Sequence, residues 1–223
     1  MCIASFKDLC IDATDPMTLA TFWGAALDLE PHSQAGGDAY LTGPTSGHRI
    51  WVNKVPEPKT VKHRMHLDVN AGSVEEIVRL GATVLDADSH RWTVMADPEG
   101  GEFCVFVREG EITQRLYEVV VDTDRDPHAI AEWWASVLGA RLVDDDSGYS
   151  YIVDIAGAPF DSIDFVPVPE PKTVKNRIHL DVMTDDVDAL VAAGATVLRA
   201  QDDAIEWTVL ADPDGNEFCA FVR

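Results

Sequence analysis

The chain copies itself. Residues 55–69 (VPEPKTVKHRMHLDV) and 168–182 (VPEPKTVKNRIHLDV) agree at 13 of 15 positions, and residues 92–108 and 207–223 agree at 13 of 17. Between these blocks GATVL stands at 81–85 and again at 194–198. Self-similarity at this spacing makes the fold two copies of one supersecondary plan. The seam falls at 109–113, which divides the chain into domains 1–110 and 111–223.

Each copy carries a weaker repeat of its own. Near residue 7 an alternating run leads into Asp15-Pro16 and an apolar-periodic stretch through Leu27. An Asp N-cap followed by Pro at the first helical position reads as a strand feeding a helix. The same order recurs at 66–69 before Ser73 and Glu76, which form a capping box ahead of a helix stopped by Gly81. In the second half it recurs at 118–122 before Asp126-Pro127, and at 179–182 before Asp186. Short β-prone runs follow every helix. The reading is a βαβββ unit repeated four times, in an α+β fold with mixed sheets.

Charge narrows the partners. With 17 Lys+Arg against 39 Asp+Glu the net charge is −22, and a polyanion-binding face is excluded: no nucleic acid and no anionic membrane surface. The halves differ, with −7 over 1–110 and −15 over 111–223. No apolar run reaches the length of a membrane span, and the N-terminal residues lack a signal-peptide core. A cytoplasmic protein is expected. Cys2, Cys10, Cys104 and Cys219 form no CxxC pair and read as free thiols.

The run Val55 to Val69, Ile11-Asp12 before Asp15-Pro16 and Phe22-Trp23, and Asp97 to Cys104 resemble the vicinal oxygen chelate superfamily, and within it the glyoxalase-like branch. That superfamily includes glyoxalase I, bleomycin-resistance proteins and extradiol dioxygenases. Each motif has its partner in the second half, at 126–134, 168–182 and 212–219. The resemblance implies a tandem duplication of a glyoxalase-like domain, each of two βαβββ units curling into a U-shaped cleft. Metal-dependent members place ligands on the first and fourth strands of one unit, and a His and a Glu on the first and last strands of the next. Carried over, the first-strand position falls on Asp8 and Glu118, the histidine on His66 and His179, and the final Glu on Cys104 and Cys219. Trp51 and Asp164 stand for the fourth strand.

Strand alternation then sets the cleft faces. Asp8, Cys10 and Asp12 share one face; so do His66, Asp68 and Asn70, and Glu102, Cys104 and Phe106. In the second half Glu118, Val120, Asp122, His179, Asp181, Glu217, Cys219 and Phe221 face inward. Glu118, His179, Asp181, His66 and Asp8 are the candidate acid/base groups. Trp51, Trp207, Asp68, Phe106, Phe221, Cys104, Cys219 and Asp164 are the candidate ligand contacts. Acids among aromatic rings suit a small cationic or aromatic molecule. No cofactor is expected, because both final Glu positions hold Cys; a divalent metal, if bound, would use Glu118, His179, Asp164 and Cys219. The leading reading is sequestration of a small molecule, as a resistance protein does, or metal-independent acid/base conversion. A metal-dependent lyase, isomerase or dioxygenase and a non-catalytic interaction module are the alternatives, with a homodimer left open. Each half is expected to close its own cleft, the C-terminal one being the more functional. The Lys59–Lys62 and Lys172–Lys175 loops, reached through Val-Pro-Glu-Pro, read as rigid linkers, with a contact to carboxylates of the other domain as the alternative.

Overall fold

The structure, a computed structural model, describes residues 2–223. Four βαβββ units follow one another. The first has β1 (Ala4–Ala13), α1 (Pro16–Leu27), β2 (Glu30–Ser33), β3 (Ala39–Thr42) and β4 (Ile50–Lys54). The second has β5 (Met65–Ala71), α2 (Val74–Arg79), β6 (Thr83–Asp86), β7 (Thr93–Ala96) and β8 (Glu102–Val107). The third has β9 (Leu116–Thr123), α3 (Pro127–Leu138), β10 (Arg141–Asp144), β11 (Ser150–Val153) and β12 (Ser162–Pro167). The fourth has β13 (Ile178–Thr184), α4 (Val187–Ala192), β14 (Thr196–Arg199), β15 (Thr208–Ala211) and β16 (Glu217–Val222). No helix is long and apolar enough to cross a membrane among the described residues.

The caps follow the sequence. Asp15 accepts from the Thr18 amide, Asp126 from the His128 amide and Ser73 from the Glu76 amide, each supplying an acceptor to a helix end that has none. α3 ends on Gly139 at φ 67°, the left-handed position glycine takes without a Cβ penalty. α2 and α4 stop two residues before Gly81 and Gly194.

The strands assemble into two eight-stranded sheets. Sheet 1 runs β14-β15-β16-β13-β1-β4-β3-β2 and sheet 2 runs β10-β11-β12-β9-β5-β8-β7-β6. The expectation that each half closes its own cleft is therefore overturned. The first unit joins the fourth through the antiparallel β1–β13 pair, and the second joins the third through β5–β9. The basic loops hold this exchange. Lys62 pairs with Asp122 at 2.6 Å and Lys175 with Asp12 at 2.5 Å, each bridging the two halves. Arg177 donates to the Glu57 carbonyl and meets Glu99, while Arg64 meets Asp124 and the Glu170 carbonyl. These Pro-rich linkers carry the chain from one sheet to the other and dock on the far half, which is the contact with carboxylates that their charge allowed.

The two sheets share a core. On α1, Trp23 packs edge-on against Phe103 of sheet 2 at 5.1 Å, and on α3 Trp134 packs against Phe218 of sheet 1 at 5.2 Å. Trp23, Phe103, Trp134 and Phe218 are all buried.

Candidate functional site

Both clefts are built on the same central ladder. In sheet 1, Asp8 of β1 stands opposite Asp181 of β13, and Cys10 opposite His179. In sheet 2, Glu118 of β9 stands opposite Asp68 of β5, and Val120 opposite His66. Cys219 on β16 neighbours Asp181, and Cys104 on β8 neighbours Asp68. On the last strand of the other unit, Trp51 lies beside Cys10 and Asp164 beside Val120.

The set Glu118, His179, Asp164 and Cys219 is therefore not brought together, because Glu118 and Asp164 lie in sheet 2 while His179 and Cys219 lie in sheet 1. Glu118 shares its cleft with His66, Asp68, Cys104 and Phe106. Asp8 and Trp51 share theirs with His179, Asp181, Cys219 and Phe221, the last of which carries Trp207 at 5.5 Å. Every cleft draws one unit from each half, so the −15 of the C-terminal half does not mark one cleft as its own.

The sheet 2 cleft is an open cavity of about 670 Å³, lined by Glu118, Asp68, Asp164 and His66. An aromatic wall rises beside them. His90 stacks on Trp92 at 4.8 Å, Trp92 on Phe106 at 5.5 Å, and Phe106 meets Tyr117 at 5.2 Å. Tyr149 lines the opposite side. Burial, reinforced by Asp164 and Asp68, pushes the Glu118 carboxyl up to about 8. Asp164 is pushed up to about 6, again mainly by burial, although the Ser162 hydroxyl donates to it. His66 Nε2 lies 3.4 Å from Asp68 Oδ1 and 3.8 Å from Cys104 Sγ. Burial and Asp68 hold the Cys104 thiol well above its ordinary range, so it stays protonated.

The sheet 1 cleft is closed over its polar centre. Lys7 Nζ sits 2.7 Å from Asp8 and 4.1 Å from the Phe221 ring, while Trp51 Nε1 donates to Asp8 at 3.2 Å. Asp8, Cys10, His179, Asp181 and Cys219 are buried. Burial pulls His179 down to about 4, so its imidazole is neutral.

One backbone irregularity recurs in both clefts. β1 bulges between Phe6 and Asp8, and β9 is irregular opposite Asp68 and Val69, where Leu116 follows Glu118 in the pairing. The extra residues are Lys7 and Tyr117. A bulge breaks alternation, so both reach the cleft beside the carboxyl that follows them. Strand parity hid both. His90 and Tyr149 come from loops whose direction no period fixes.

The family described as a glyoxalase-like domain matches residues 8–106 and 118–221. The chain belongs to the glyoxalase-like family. No curated protein matches it. Among solved structures, glyoxalase I from Zea mays superposes with a TM-score of 0.69 at 15% identity, covering 98% of this chain and 92% of that one. The cppA protein from Streptococcus pneumoniae TIGR4 gives 0.51 at 12% identity, with 97% of each chain covered. At such identities the likeness is one of fold.

Divalent metals are used by glyoxalase-like relatives, and the two clefts differ in their fitness for one at the family positions. In sheet 1 those positions offer an indole, which has no free acceptor, and an Asp8 carboxylate already bound to an ammonium group; they do not fit. In sheet 2 donor atoms of His66, Asp68 and Cys104 lie within 4.8 Å of one another, Glu118 and Asp164 line the same cavity, and Asp68 Oδ1 is buried without a hydrogen bond. Imidazole and carboxyl groups suit a divalent ion.

Proposed function

We propose that the sheet 2 cleft binds a small organic cation with a planar aromatic part. One observation carries the reading: Glu118, Asp68 and Asp164 converge on the cavity, and none of them pairs with a lysine or arginine of the protein. Carboxyls crowded in this way lose stability by mutual repulsion and gain it from an incoming positive charge. The Trp92–Phe106–Tyr117 wall supplies flat apolar surface for the ring. In the unliganded cleft Glu118 holds a proton at neutral pH that an incoming cation displaces, and the Asp164 carboxylate beside it can accept one. Sequestration and acid/base conversion both start from this complex.

A second reading rests on the unpartnered Asp68 Oδ1, 3.4 Å from His66 Nε2. His66, Asp68, Glu118 and Asp164 would hold a divalent ion, which would supply polarisation of a substrate oxygen.

Calorimetric titration with benzamidine as the aromatic cation, and with isosteric benzoate as the anion, tests the first reading. Benzamidine is expected to bind, to be weakened by Glu118→Gln and Asp164→Asn, and to be indifferent to chelator. Equal binding of benzoate, or no binding of either, overturns it. Benzamidine binding lost on chelation and regained with added metal favours the second reading.

A further inference from the structure

The two Pro-rich linkers that carry the chain between sheets meet around a second cavity, of about 240 Å³, which shares only Lys62 with the open cleft. We infer that this cavity binds a small hydrogen-bearing oxyanion of the phosphate class, held by His63, Arg64 and the lysines of both linkers.

In a chain of net charge −22, five of the 17 lysines and arginines line this one small space: Lys59, Lys62 and Arg64 from one linker, Lys175 and Arg177 from the other. Two acids share the lining, Asp12, which Lys175 holds at 2.5 Å, and the exposed Glu57. The other four cations are paired as well, Lys59 with Glu102, Lys62 with Asp122, Arg64 with Asp124 and Arg177 with Glu99, but those carboxylates lie outside the lining. An ion pair uses only part of the donor set of an ammonium or guanidinium group, so donors remain for a guest.

Two neighbouring side chains on the lining have buried donors with nothing to bond. Arg64 gives its terminal nitrogens to the Glu170 carbonyl and to Asp124, and its Nε is buried without a partner. His63 is 8% exposed, and neither of its ring nitrogens has one. Polar groups left in this way are costly. The repeat shows the cost to be avoidable: Asn176, at the place of His63, donates to Asn216 at 2.9 Å, whereas Gly101, beside His63, has no side chain to accept. Burial draws His63 down to about 4, and Lys59 and Arg177 push the same way against Glu102. The ring is neutral, with one N–H to give, where an added negative charge is stabilised. Asn176 Oδ1 is also buried without a partner, and it is an acceptor. A guest that satisfies all three residues carries both oxygens and a hydrogen. Phosphate near neutral pH has both; sulfate lacks the hydrogen and chloride lacks both. Bound between the linkers, the ion ties the two halves together where they exchange strands.

Inorganic phosphate is the probe, titrated calorimetrically into the full-length chain in an oxyanion-free buffer, with sodium chloride at equal ionic strength as the control. One equivalent is expected to bind and to raise the melting temperature above that of the control. Sulfate should bind roughly tenfold more weakly, because Asn176 Oδ1 then stays unpaired. Arg64→Lys keeps the charge and removes Nε, and His63→Asn with Gly101→Asn installs the satisfied pair of the other half. Each should weaken phosphate by roughly tenfold or more, with near-ultraviolet circular dichroism retained as the sign that it folds. Methyl phosphate bound like phosphate makes the guest the phosphoryl group of an ester, and its exclusion makes it the free ion; both outcomes support the site. No phosphate binding, a melting temperature that follows ionic strength alone, sulfate bound as tightly as phosphate, or a phosphate affinity unchanged in the folded variants overturns it.

Discussion

Asp68 faces Glu118 directly across the β5–β9 ladder, one carboxyl from each half of the duplicated chain. Neither residue has a lysine or arginine partner, whereas the equivalent Asp8 is held by Lys7 at 2.7 Å. The open cleft therefore keeps an unmet demand for positive charge that the closed one satisfies internally.

Cation binding should depend on pH through Glu118. Its carboxyl is raised from 4.5 to about 8, so below that value a bound cation must displace a proton. Benzamidine affinity is expected to climb between pH 6 and 8, by up to about tenfold per pH unit, and then level off. Folding stability should run the other way. The folded state holds this proton more tightly than the unfolded one, so the contribution is full below 4.5, falls as pH rises, and is lost above about 8. Calorimetry and urea unfolding across this range, on the parent chain and on Glu118→Gln, measure both slopes, and the variant should flatten both.

Replacing His66 should weaken benzamidine binding more than replacing His179, the reverse of what the charge of the two halves suggests. His66 Nε2 stands against Asp68 on the open floor, and His179 lies under Trp51 and Lys7. His66→Ala is expected to cost about 1.5–3 kcal/mol, the range for one polar contact to a charged group. His179→Ala should leave calorimetric affinity unchanged.

The residues that the repeat exchanges at 63 and 101 should behave as a coupled pair. In the second half, Asn176 donates to Asn216 at 2.9 Å, and Asn216 reaches Asp212. In the first half, His63 and Gly101 hold those places, and a Cβ on Gly101 would come 2.6 Å from the His63 ring. Gly101→Asn alone should therefore destabilise by about 1–3 kcal/mol through overpacking, and His63→Asn added to it should recover most of the loss. His63 is buried and drawn down to about 4, so it opposes folding as pH falls from 6.5 toward that value. Urea unfolding at pH 7 and pH 5 should show the double variant losing less on acidification than the parent.

Residues 1–110 expressed alone should not be a folded monomer. They contain β1 and β5, whose antiparallel partners β13 and β9 come from the other half. Two copies could restore both sheets by pairing β1 of one with β5 of the other, so light scattering after gel filtration is expected to report a dimer or larger species. A monomer with native-like near-ultraviolet circular dichroism would contradict the exchanged topology.

The βαβββ grammar was legible because caps, Pro at the first helical turn and strand alternation are local signals. Asp15-Pro16 and Asp126-Pro127 start helices where they stand. The choice of partner was not local. β1, β5, β9 and β13 carry similar alternating patterns, and nothing in 4–13 distinguishes a ladder to 65–71 from one to 178–184. That single long-range choice moved His66 to Glu118 and His179 to Asp8. The carried-over positions themselves lie on the first and last strands of each unit, which are the four central strands of each sheet, while Lys7 and Tyr117 were hidden by bulges that shift the register by one residue.

The exchanged pairing ties the fates of the two copies together. A substitution in β1 is felt by β13, and one in β5 by β9, so neither copy can drift, shorten or be discarded without unravelling a sheet that the other copy shares. Duplication here yields a permanent marriage of unlike clefts: one is free to meet the outside world because its twin, built from the same two parents, has turned inward.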